Sequence, residues 1–123
     1  MKIPKSIAER RASIRIEEKL PFKIGHEGFE TEAVTLNISQ TGAMCLAKEG
    51  IPLMTQMKVA IPLPQETKSS SKQKIIRAKG VVVRNEMDPH TGQFFIAIFF
   101  SEIKPPHQKI LRQFIRHRLD SSS

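Results

Sequence analysis

The sequence contains no tryptophan, no tyrosine and only one cysteine, Cys45. A lone thiol excludes an internal disulfide and a thiolate metal cluster, and it fits a reducing compartment, so the expected location is cytoplasmic. Four histidines, His26, His90, His107 and His117, have no metal-ligand spacing with one another or with Cys45, and no metal is expected. No apolar run approaches the roughly 18 residues of a membrane helix, and Met1-Lys2-Ile3-Pro4-Lys5 lacks the apolar core of a secretory signal. Ser39 has no general base in sequence reach and no nucleophile-elbow pattern around it, so the expected activity is binding and not catalysis. Negative charge is also scarce. Against 20 Lys and Arg stand 12 Asp and Glu, a net charge of +8.

What is present is enough for one core. The 123 residues are 39% hydrophobic, which fits a single domain with phenylalanine as its aromatic filler. The positive excess sits at the two ends: residues 1–23 and 104–120 each carry +4, whereas residues 24–64 carry −2. Such a balance favours an anionic partner, whether nucleotide, nucleic acid or anionic lipid, or else a solvated basic surface.

Residues 1–18 are charged, broken by Pro4 and poor in regularly spaced apolar positions, which reads as a basic arm. From Leu20 the pattern becomes β-branched and aromatic runs cut by turn residues: 20–24, 30–38, 43–47, 57–63, 75–84 and 94–100. Pro62 and Pro64 point to an edge or a strand end. Asp88-Pro89-His90-Thr91-Gly92 reads as a hairpin turn, and the polar patch 68–72 as a loop. A helix is expected from Pro105 or Pro106, with Ile110, Leu111, Phe114, Ile115 and Leu119 as its apolar stripe and Lys109, Arg112 and Arg116 opposite. The expected fold is therefore mainly β: a six-stranded antiparallel barrel over 19–120 that closes its own edges, capped by a C-terminal amphipathic helix, with 121–123 frayed.

Two stretches carry complementary chemistry. Arg10-Arg11-Ala12-Ser13-Ile14-Arg15 supplies permanently charged planar forks that match phosphate oxygens or a guanine edge and can stack on a base. Asn37-Ile38-Ser39-Gln40-Thr41-Gly42 supplies short polar groups beside a glycine, whose missing Cβ lets a flat ring approach and whose backbone can adopt positive φ. Taken alone, the first could be a solvated arm and the second a hairpin turn.

In this order and spacing, Arg11 and Arg15 as RxxxR and Asn37, Ser39 and Gly42 as (D/N)xSxxG, the sequence resembles the PilZ domain family over roughly residues 9–118. Residues 78–84 and 93–100 resemble that family's paired late strands. Val83 departs from the pattern, since many members carry an aromatic residue there. The resemblance implies a receptor for cyclic di-GMP that uses Arg10, Arg11, Arg15, Asn37, Ser39 and Gly42, with Arg84 as a secondary contact and no other cofactor. An arginine at position 10, just before RxxxR, implies two mutually intercalated ligands per chain. It also implies an arm that folds over the ligand and a downstream partner in motility, adhesion, polysaccharide export or virulence. The alternatives are a PilZ-like interaction module that binds no nucleotide and a general nucleic-acid binder. The absence of Trp and Tyr makes the latter the weaker reading.

Overall fold

The computed structural model describes residues 14–26, 28–64 and 74–121. Within them lie β1 (Ile16–Glu17), β2 (Pro21–His26), β3 (Phe29–Ile38), β4 (Gly42–Ala47), β5 (Gln56–Leu63), β6 (Lys74–Met87), β7 (Phe94–Glu102) and α1 (Pro105–Ser121). Every pairing is antiparallel. The order runs β3-β2-β5-β6-β7-β4, and β4 pairs back onto β3, so six strands form a closed barrel, as the spacing of apolar runs predicts. Two residues read as arm, Ile16 and Glu17, form β1 and pair with Ile38 and Asn37 of β3. The polar patch 68–72 and the tail residues Ser122 and Ser123 lie outside the described residues.

Alternation decides what fills the barrel. Phe22 and Ile24 on β2, Met57, Val59, Ile61 and Leu63 on β5, and Ile96, Ile98 and Phe100 on β7 are buried, while the residues between them are half-buried or exposed. Ile24, Ile38, Ile61, Ile76, Val82 and Ile96 have no exposed surface. Each contributes about 1.5–3 kcal/mol of burial. Pro62 pairs with Ile75 of β6 but lies past Ala60, the last β5 residue paired with β2, which gives the strand end that its missing N–H requires.

The β6–β7 turn is organised by Asp88. Its carboxylate accepts from the His90 amide at 3.0 Å and the Thr91 hydroxyl at 3.1 Å. Gly92, at φ 75°, takes the left-handed position that a side chain would disfavour.

Helix α1 packs on β6 and β1, with Leu111, Phe114 and Ile115 buried. Leu119, expected in the same stripe, is instead exposed. Arg118 occupies the inner position: its Nε lies 2.7 Å from Glu18 Oε1, and its guanidinium stacks 5.1 Å from the centre of the Phe114 ring. A cation paired at its tip can bury its stem where a leucine would otherwise go.

Candidate ligand-binding site

The second motif is shaped by a bulge. On β3, Thr31, Ala33 and Thr35 point inward, and strict alternation would send Asn37 inward too. The register slips between Thr35 and Asn37, so one extra residue is inserted and Ile38 becomes the next inward side chain. Asn37 is thereby left on the outer face, half-buried.

The chain then turns. The Ser39 amide donates to the Gly42 carbonyl at 2.8 Å, and the Ser39 hydroxyl accepts from the Thr41 amide at 3.1 Å and lies 3.0 Å from the Thr41 hydroxyl. Ser39 has no exposed surface, so its side chain builds the turn from within. Gly42 does not have the positive φ that the sequence allows for it: among the described glycines only Gly28 and Gly92 do. A Cβ on Gly42 would instead lie 2.2 Å from the Ile98 carbonyl oxygen of β7. The glycine is required there because two strands cross at contact distance.

Arg15 joins the two motifs. Its Nη1 donates to Asn37 Oδ1 at 2.8 Å on the exposed face, using one of the guanidinium's five N–H groups and leaving the rest for a ligand. Arg10 and Arg11 lie outside the described residues. The segment after Arg15 is held three ways: by β1 pairing, by the Glu18–Arg118 ion pair and by Thr35. The Thr35 hydroxyl accepts from the Leu20 amide at 2.8 Å and donates to the Glu18 carbonyl at 2.5 Å, while the Thr35 amide donates to the Leu20 carbonyl at 3.0 Å. Thr35 is fully buried. A lone Thr in a strand gives no such signal in sequence, and only the tertiary contact identifies it.

Register extends the site across the barrel. Asn37 pairs with Met44, Met44 with Ala97, and Ala97 with Arg84, a row of outward positions about 14 Å long at ordinary strand spacing. Met44 and Ala97 are half-buried and form a low floor between the Arg15–Asn37 pair and Arg84. Arg84 is exposed and bonds Glu86 at 2.8 Å. The Glu86 carboxylate pushes the arginine's pKa up through this hydrogen bond and its charge, and Arg84 in return holds Glu86 below the usual carboxylate range. In the adjacent row Phe99 stands opposite Gly42, 51% exposed. Phe99 lies within the apolar run 94–100, yet its place in the alternation turns it outward. The arrangement offers guanidinium groups, an aromatic face and a shallow floor, suited to a flat anionic ligand. Among the described residues no group of three His, Cys, Asp or Glu side chains could hold a metal ion, and no helix is long and apolar enough to cross a membrane.

Residues 9–117 match the PilZ domain. No protein of curated function matches the sequence. Among solved structures, the Bacillus subtilis inhibitor of motility MotI/DgrA is similar at 25% identity and TM-score 0.71, covering 87% of this chain and 50% of its own. Borreliella burgdorferi PlzA in complex with c-di-GMP is similar at 8% identity and TM-score 0.61, covering 97% and 57%. The PilZ domain of Escherichia coli YcgR with c-di-GMP is similar at 15% identity and TM-score 0.60, covering 92% and 93%. The chain thus spans about half the length of the first two of these proteins. Since the matched stretch runs from the arginine motif through the barrel and into the closing helix, the chain belongs to the PilZ domain family.

Proposed function

We propose that this chain is a cytoplasmic receptor for cyclic di-GMP that binds the messenger and catalyses nothing. The observation that carries the reading is the Arg15–Asn37 hydrogen bond, which joins the two motifs on one open face. Arg11 and Arg15 bond ligand phosphate and guanine, Asn37 orients Arg15 and meets a base edge, and the turn built by Ser39 and Gly42 supports the base. Arg84 contributes once a phosphate competes it away from Glu86. Phe99 presents a stacking face on the same side as Gly42. The c-di-GMP bound in the PlzA and YcgR structures supports the same ligand here.

The arm carrying Arg10 and Arg11 closes over the ligand, and the composite surface acts on a downstream protein. With Arg10 as a third guanidinium, the stoichiometry is two intercalated ligands, because four phosphates and stacked guanines call for additional positive charge.

Isothermal titration tests this. Arg11→Ala, Arg15→Ala and Asn37→Ala each weaken binding about tenfold or more, on the scale of a bidentate guanidinium contact, with melting temperature unchanged. Arg10→Leu shifts the ratio from two ligands toward one. Wild-type affinity in Arg15→Ala and Asn37→Ala would refute the site, and tighter binding of single-stranded DNA would favour the nucleic-acid reading.

A further inference from the structure

On the other side of the ring from this site, the outer faces of β2, β5 and β6 form a groove of about 630 Å³ that runs up to the start of α1. Two cross-strand rows build it. In one, Lys23 stands opposite Ala60, and Ala60 opposite Arg77. In the other, Lys58 stands opposite Lys79, and Lys79 opposite Glu102. Lys104 completes the rim beside His107, whose Nδ1 accepts the Arg77 amide at 3.1 Å and so ties the helix start to the strand. The floor is low, because Ala60 sits on the outer face between Lys23 and Arg77, which carry long cationic stems.

The charges do not cancel. Lys23 pairs with Glu30 at 3.4 Å and Lys79 with Glu102 at 3.2 Å, while Lys58, Arg77 and Lys104 take part in none of the ion pairs among the described residues. Lys58 and Lys79 also stand directly opposite one another, an arrangement that costs stability in an isolated sheet. An anion lying in the groove would relieve it.

We infer that this groove docks an acidic segment of a partner protein, independently of what binds on the opposite face. A polyphosphate fits less well: Glu30 and Glu102 lie in the groove and would repel it, whereas a protein partner of mixed charge can pair with them, and among the described residues no Phe, Tyr or Trp lines the groove for a base to stack on. A bilayer surface fits less well because the cations line a concavity that also holds Glu30 and Glu102. Such an interface is steered by charge and weakens with salt.

The test titrates the full chain with a synthetic acidic peptide of roughly twelve residues alternating glutamate and alanine, followed by amide chemical shifts at low and at moderate salt. Shifts are expected at Lys58, Arg77, Lys79 and Lys104. The double variant Lys58→Glu/Arg77→Glu should weaken binding about tenfold, whereas Arg112→Glu/Arg116→Glu, the same charge change on α1, should weaken it less than about twofold. A cyclic di-GMP titration unchanged in the groove variant reports an intact barrel. Equal losses in the two variants, shifts elsewhere, or tighter groove-dependent binding of single-stranded DNA or phosphatidylglycerol vesicles would each overturn the inference.

Discussion

Thr35 makes the sharpest test of how the arm is anchored. Replacing it with valine keeps the shape of the side chain and deletes one oxygen. That oxygen serves two backbone groups, the Leu20 amide and the Glu18 carbonyl, and Thr35 has no exposed surface through which water could substitute. The buried Leu20 amide left without a partner costs about 1–3 kcal/mol and the part-buried Glu18 carbonyl about 1–2, so Thr35→Val should lose about 2–5 kcal/mol of a total on the order of 5–15. For a chain of this size that is a fall of roughly 8–20 °C in Tm. Thr35→Ser keeps the hydroxyl and loses a methyl group, which costs about 1 kcal/mol. Urea unfolding and thermal melts of the three proteins give the ordering, and amide exchange at Leu20 reads the anchor directly, accelerating in Val but not in Ser. If Thr35→Val melts within about 2 °C of wild type, the hydroxyl does not hold the segment and the account of the arm's base is wrong.

Other expectations follow from single contacts. Gly42→Ala should lose about 1–3 kcal/mol by forcing β7 aside, measured by thermal melting, and an unchanged Tm would mean that the close approach to Ile98 relaxes freely. Phe99→Trp introduces the sole tryptophan, so its emission should change saturably as guanine stacks on it, and Phe99→Ala should bind cyclic di-GMP about fivefold or more weakly; constant emission at saturation with full affinity in the Ala variant would remove Phe99 from the site. Burial pushes the Cys45 thiol up from 9.0 to about 12, so at pH 8 roughly one native molecule in ten thousand carries the thiolate, and thiol reagents should label it only on unfolding. Because the folded chain holds that proton while the unfolded chain releases it, the stabilisation is complete below pH about 9 and falls by about 1.4 kcal/mol per unit as pH rises toward about 12. Cys45→Ala should lack this component, and equal alkaline slopes in the two proteins would contradict it.

Alternation and turn residues carry most of the barrel in plain text, because a strand with one wet face must write its orientation in every second residue. They fail where geometry departs from period two. The bulge after Thr35 has no marker residue, so the outward turn of Asn37 is invisible until the register with β4 is known. The (D/N)xSxxG pattern locates the turn but not its internal division of labour, in which Ser39 is consumed by its own backbone and Gly42 answers to β7. Leu119 and Arg118 exchange expected places because hydropathy alone ranks a leucine above an arginine. Only the nearness of Glu18 and Phe114, contributed by distant chain and by the previous helical turn, reverses that order.

The Glu18–Arg118 pair joins points separated by about a hundred residues of chain, and closing so long a loop is entropically costly until the strands between are in place. In synthesis the order is fixed: Glu18 leaves the ribosome about a hundred residues ahead of its counter-ion. The segment behind Arg15 can therefore acquire its ion-pair anchor only when the final turn of α1 has docked. A nascent barrel caught before that moment would already contain Asn37, Ser39 and Gly42 but would hold Arg15 loosely. The anchored form of the site is thereby reserved for chains in which the barrel has closed and α1 has docked on it.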